Sequence, residues 1–259
     1  MTTVTSRDGT PIVLDTTGDG PPVVLVDGAM CFRAFGPMPS LAQVLAPHFT
    51  VVTYDRRGRG ESGDTQPYAV EREVDDLAAL IEYAGGSAYV YGISSGAALA
   101  MEAAASGLPI RKLALYEPPY TAEGGDTDAV EEDNRQLNGL LAAGRRGDAV
   151  EHFMSGVGMP PEAIADMRRS PTWPVFEAVA PTLAYDYAVL GDGTVPRERA
   201  ARIGVPTVVA AGGASPDFLQ TPARALADAI PGATYRTLDG QTHEVAPHAI
   251  SAVLQEFFR

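Results

Sequence analysis

The chain has 259 residues, 45% of them hydrophobic and 20% charged, which suits an ordinary globular protein with room for one large α/β domain or two small ones. Its net charge of −14 and pI of about 4.6 repel polyanions and anionic headgroups, so neither nucleic acid nor a membrane surface is an expected partner. A single cysteine, Cys31, rules out an intrachain disulfide and suits a reducing, cytoplasmic setting.

Thr2–Arg7 and Pro11–Thr16 alternate polar and apolar residues around Asp8-Gly9-Thr10, the pattern of a hairpin. The opening stretch has no apolar core or cleavage signature, so no secretory signal is expected. Pro22–Asp27 and Thr50–Asp55 are β-branched runs that read as buried strands. A short helix, Leu41–Ala46, separates them. Val70–Tyr83 places Val74, Leu77, Leu80 and Ile81 at helical spacing. The longest uncharged run is Ala84–Met101. Its Gly85-Gly86 pair and central serines argue for a buried strand and helix rather than a membrane span. Lys112–Tyr116 is a further strand, closed by Glu117-Pro118-Pro119.

The rhythm then changes. Asp126–Ala143, Asp148–Ser155, Pro161–Arg168 and Trp173–Leu190 all read as helices, with no strand among them. Strand–helix alternation returns with Pro206–Ala211, a helix at Pro222–Ile230, a strand at Thr234–Leu238 and a last helix at Ala246–Phe258. Alternation predicts an α/β fold, a mostly parallel twisted sheet with helices on both faces. Residues 1–119 and 195–259 would form the core domain and residues 120–194 an all-helical cap inserted at the carboxyl ends of the strands, where such sheets carry their sites.

The candidate chemistry centres on Gly92-Ile93-Ser94-Ser95-Gly96, a G-x-S-x-G between a strand-like run and a small-residue helix. A serine on so sharp a turn needs tiny neighbours and presents its hydroxyl beside the first N–H groups of the helix. Ser94 requires a base to become a nucleophile. Of the four histidines, only His243 sits in a loop after a late strand, where it could return to the pocket. Two carboxylates could orient it: Glu117, ending the strand before the insertion, and Asp217, following the Ala211 strand. Oxyanion N–H groups would come from Ser95 and from Gly28 or Ala29. Trp173, Met154 and Tyr185 of the cap are the candidate apolar substrate contacts. Arg56, Arg57 and Arg59 read as loop scaffolding. No metal and no cofactor are expected.

These stretches, with Val24–Gly28, Tyr54–Ser62, Gly212-Gly213 and Gly240–His243, resemble the α/β-hydrolase superfamily over nearly the whole chain. The resemblance implies a Ser–acid–His triad. Two departures stand out: Asp27-Gly28 replaces the usual His-Gly, and Ser215 occupies the usual acid position. Asp-Gly in the oxyanion loop, the Ser-rich turn and Glu117-x-Pro119 are similar to zearalenone-type lactonases, which favours Glu117 as the acid. The expected function is hydrolysis of a carboxylic ester or lactone of an apolar small molecule. A cofactor-free perhydrolase, a C–C bond hydrolase and a ligand-binding protein with little turnover are the alternatives. A homodimer is the one protein partner considered.

Overall fold

Runs of Val, Leu, Ala and Tyr that read as buried strands become the centre of one eight-stranded sheet in the computed structural model, which describes residues 1–121 and 127–259. The strands are β1 (Thr2–Thr5), β2 (Pro11–Thr17), β3 (Pro22–Val26), β4 (Thr50–Tyr54), β5 (Ala88–Ile93), β6 (Ile110–Tyr116), β7 (Thr207–Gly212) and β8 (Thr234–Leu238). Their order is β1-β2-β4-β3-β5-β6-β7-β8. β1 and β2 are antiparallel, β2 meets β4 antiparallel, and β3 to β8 run parallel. The helices are α1 (Met38–Leu45), α2 (Val70–Tyr83), α3 (Ser95–Ala105), α4 (Thr127–Ala142), α5 (Arg146–Gly156), α6 (Pro161–Arg168), α7 (Trp173–Val179), α8 (Leu183–Leu190), α9 (Arg197–Ala200), α10 (Asp217–Ala229) and α11 (Pro247–Phe258).

Side-chain alternation along the strands divides the core into two layers. Val24, Val26, Val90, Leu113, Leu115 and Val209 pack against α2, α3 and α10. Val23, Leu25, Tyr89, Tyr91, Ala114 and Val208 pack against α1 and α11. β5 and β7 are buried at every position, as strands covered on both faces must be.

Helices α4 to α8 lie between β6 and β7 with no strand among them. They build a third apolar cluster, with Leu137, Val150, Met154, Ile164, Trp173, Phe176 and Leu183 buried. Met30, from the loop after β3, is buried in the same cluster, and Ala29 and Phe32 pack on it. An isolated bridge between Thr121 and Thr194 closes the base of the segment.

Two local expectations change. Trp173–Leu190 is not one helix: a 3-10 turn at Ala180–Thr182 divides α7 from α8. Pro181 lies in that turn; its missing N–H and its ring oppose a continuous helix. Conversely, Pro222 does not start a helix but lies inside α10. Leu219, Pro222, Ala223 and Leu226 form one buried stripe, and its burial outweighs the lost hydrogen bond. The four-residue α9 is too short to carry a periodic signal. The expected start of the first inserted helix, Asp126, lies outside the described residues.

Candidate functional site

Between β5 and α3 the backbone reverses at Ser94, which adopts φ 57° and ψ −130°. Such a conformation is costly for a residue with a Cβ and must be held from outside. The Ser94 N–H donates to the Tyr116 carbonyl at 2.9 Å, and the Ser94 carbonyl accepts from Ala97 N–H at 2.9 Å. The flanking glycines are a steric requirement. A Cβ on Gly92 would lie 2.3 Å from the Gly96 carbonyl, and one on Gly96 would lie 2.3 Å from the Val26 carbonyl. At Gly28 a Cβ would come within 3.0 Å of the Ser94 Cβ. The loop after β3 therefore runs directly against the serine.

β6, the neighbour of β5, ends at Tyr116, and Glu117 follows with φ 45°. Glu117 is fully buried, at 0% exposure. Its N–H donates to the Ala210 carbonyl at 3.0 Å. Its Oε1 accepts from Gly212 N–H at 2.7 Å. Its Oε2 lies 2.7 Å from His243 Nδ1. The Tyr116 hydroxyl donates to the Thr242 carbonyl at 2.6 Å, holding the loop that carries the histidine. The imidazole itself is 40% exposed. A buried carboxylate against Nδ1 keeps the proton on that nitrogen and leaves Nε2 free to accept one. Hydrogen bonds thus link Ser94, Tyr116, Glu117 and His243 through one strand end. Asp217 is not brought to the histidine; it is the exposed first residue of α10.

Next to the serine, a buried ionic network reaches Ser95. Arg56, Arg57 and Arg59 are each at most 1% exposed. Arg57 braces the scaffold, donating to Asp76 at 3.0 and 2.7 Å and to Asp8 at 2.7 Å. Arg56 and Arg59 do more than brace a loop. Arg56 is bound twice by Glu73, at 2.8 and 3.0 Å, and donates to Asp186 at 2.8 Å, Ser95 Oγ at 3.2 Å and the Asp27 carbonyl at 3.3 Å. Arg59 donates to both Asp186 oxygens at 2.8 and 2.7 Å, to the Gly28 carbonyl at 2.6 Å and to the Cys31 carbonyl at 3.2 Å. Ser95 Oγ donates to Asp186 Oδ1 at 2.7 Å.

Burial alone would raise the Asp186 carboxyl. The Arg59 and Arg56 guanidiniums, with Ser95 Oγ, outweigh it and hold the group below the usual carboxylate range. Asp27 behaves oppositely. Burial pushes it up to about 8 despite Arg59 and Arg56, and its Oδ1 has no hydrogen-bond partner among the described residues. Sequence reasoning missed Asp186. The available signal was a lone acid amid the apolar residues of Leu183–Leu190, four residues after the turn at Ala180–Thr182.

The cap candidates separate. Trp173, 6% exposed, and Met154, 5% exposed, belong to the cluster that also holds Met30. Trp173 meets Phe176 edge-on at 6.2 Å, and Phe176 meets Phe35 of the β3–α1 loop at 5.3 Å. Tyr185 is committed elsewhere: its ring stacks on Tyr68 at 3.9 Å and its hydroxyl donates to Asp64 at 2.7 Å.

Among the described residues, no group of three or more His, Cys, Asp or Glu is arranged to hold a metal ion, and no helix is long and apolar enough to cross a membrane. The alpha/beta hydrolase family model matches residues 23–256. An alpha/beta hydrolase from Sphaerobacter thermophilus is 57% identical, with a TM-score of 0.89 over all of both chains. An esterase from Thermogutta terrifontis is 23% identical, with a TM-score of 0.76 over 100% of this chain and 97% of that one, a likeness of fold. The uncharacterized hydrolase YraK of Bacillus subtilis is 36% identical over 102 residues, which span 36% of this chain and only 35% of that protein.

Proposed function

Since the chain belongs to the alpha/beta hydrolase family, we propose that it hydrolyses a carboxylic ester or lactone of an apolar small molecule through an acyl-enzyme. The observation that carries this is the Glu117–His243 pair, 2.7 Å apart, on the strand end whose Tyr116 carbonyl holds the strained Ser94 turn. In the proposed reaction Ser94 Oγ attacks the carbonyl carbon while His243 Nε2 takes its proton. The tetrahedral oxyanion is held by the N–H groups of Ser95 and of Ala29, with Gly28 as the alternative donor. His243 returns the proton to the leaving oxygen as the C–O bond breaks. Water then gives a proton to His243 and its oxygen to the acyl carbon, and as the acyl–Oγ bond breaks His243 returns that proton to Ser94 Oγ, releasing the acid. Glu117 stabilises the imidazolium in both halves.

Residues 120–194 act here as the cap over this site. Trp173 and Met154, whose cluster includes Met30 and contacts Ala29, supply apolar surface next to the acyl group. Tyr185 serves the wall behind, through Tyr68 and Asp64. The chemistry needs no metal and no cofactor.

The test is turnover of a p-nitrophenyl butyrate substrate and of a lactone panel, with stoichiometric labelling by a fluorophosphonate. Ser94→Ala should lose labelling and reduce kcat on the order of 10⁶-fold. A wild type no faster than Ser94→Ala on every ester and lactone defeats the proposal and moves perhydrolysis, C–C cleavage or simple ligand binding to the front.

A further inference from the structure

Asp186 takes no part in the proton relay, yet it is tied to both segments from which the oxyanion donors would come, to one directly and to the other through Arg59 and Arg56. The first is the loop after β3. Arg59 donates to the Gly28 carbonyl at 2.6 Å. A peptide is planar and trans, so its N–H points opposite its carbonyl. Fixing the Gly28 carbonyl therefore fixes the direction of the Ala29 N–H. Arg56 does the same, more loosely at 3.3 Å, for the Asp27 carbonyl one peptide earlier. The second segment is the start of α3. Ser95 is the first residue of that helix, and the first N–H groups of a helix have no partner inside it. Its Oγ donates to Asp186 Oδ1 at 2.7 Å, which pins the residue that carries this N–H.

Asp186 joins the two. Both its oxygens accept from Arg59, and Oδ1 also accepts from Arg56 and Ser95. All four side chains lie among the buried polar residues. Stability alone is a weak account of such a cluster, because well-packed apolar residues often stabilise a core as well or better. What apolar residues cannot do is donate hydrogen bonds to the Gly28 and Asp27 carbonyls.

We infer that Asp186 is a positioning residue for the oxyanion site: from helix α8 it sets the spacing between the Ala29 and Ser95 N–H donors. The inference rests on the serine-hydrolase reading of Ser94. It makes the inserted helical segment a working part of the reaction centre, not only a roof, because α8 cannot lift away without removing the carboxylate that joins Ser95 to Arg59 and Arg56.

The experiment compares wild type, Asp186→Asn, Ser95→Ala and Ser94→Ala, with active sites counted by fluorophosphonate end-point labelling. Turnover of p-nitrophenyl butyrate gives kcat and KM. A trifluoromethyl ketone, which forms a tetrahedral adduct on a nucleophilic serine, gives a Ki for an oxyanion. Losing an oxyanion donor costs about 10²–10³ in turnover, and a misplaced one costs less. Asp186→Asn should lower kcat about 10- to 100-fold, and Ser95→Ala about 3- to 10-fold, with KM changed less than about twofold. The ketone Ki should rise by the factor that kcat/KM falls, which a role in folding alone would not produce. Ser95→Ala keeps both guanidinium–carboxylate pairs, so it decides the matter should Asp186→Asn fail to fold. Unchanged kcat and ketone Ki per labelled site in Ser95→Ala overturn the inference while leaving the hydrolase reading intact. Wild-type turnover in Ser94→Ala overturns both.

Discussion

Two buried carboxylates flank Ser94, and they are held in opposite ways. Glu117 is 0% exposed and Asp186 2%. Glu117 has one backbone N–H and one imidazole as partners. That imidazole is 40% exposed and can take up and return a proton during a reaction. Asp186 has two guanidiniums and a hydroxyl, and a guanidinium stays charged at any working pH. Charge beside Glu117 can change during a reaction; charge beside Asp186 cannot. The first arrangement suits moving a proton and the second suits holding a shape. Asp27 completes the series. Its buried Oδ1 has no hydrogen-bond partner among the described residues, and burial pushes the carboxyl up to about 8.

The contrast is broken most severely at the Glu117 side. Glu117→Gln removes the charge that the imidazolium needs and should lower kcat for an aryl ester by about 10²–10⁴-fold. Asp217→Asn, at an exposed helix start, should stay within about twofold of wild type. A collapse in Asp217→Asn with Glu117→Gln intact would reverse the assignment. On the structural side, Asp186→Ala leaves Arg59 without its carboxylate and Arg56 with Glu73 alone. The expected cost is about 3–5 kcal/mol, read as a lower urea midpoint. A loss below about 1 kcal/mol would mean that solvent reaches the freed guanidiniums, and the idea of a rigid clamp would go with it.

The smallest effect is expected at the unpaired carboxyl. Asp27 is raised from 3.8 to about 8, by burial first, with Asp55 adding to it. A folded-state value above the unfolded one means that the native protein binds the proton more tightly. The stabilisation is therefore complete below about pH 4 and is lost as pH rises through about 8. Wild-type Tm should fall between pH 7 and 9 by a few degrees more than that of Asp27→Asn, roughly the shift that about 1.4 kcal/mol gives. The difference between the two proteins isolates Asp27 from Asp76, which burial also raises, to about 6. Parallel Tm curves would show that Asp27 is ionised and paired after all.

Local physics made much of this legible in the amino-acid order. The serine turn announces itself because only glycine fits at Gly92 and Gly96, where any Cβ would strike a carbonyl. The parallel strands read as unbroken apolar runs because both faces are covered, and α2 matched its expected span, Val70–Tyr83, because one clear stripe faces the sheet. Proline was the weak guide, stopping a helix at Pro181 and riding inside one at Pro222, since burial of the surrounding stripe decides which cost is borne.

Long-range pairing of charges was beyond any local pattern. Glu117 and Asp217 were both chemically able to meet His243. The neighbouring ends of β6 and β7, with the Thr242 carbonyl tied to Tyr116, brought only Glu117 to it. Asp186 lies 130 residues from Arg56 and 127 from Arg59. Nothing in the spacing of those residues selects the pair. The amino-acid order by itself determined which side chains could do chemistry and which segments would be strands or helices, because sterics and periodicity act over a few residues. Which carboxylate meets the histidine, and which acid disciplines the arginines, was decided only when the sheet order and the inserted helices set distant ends side by side.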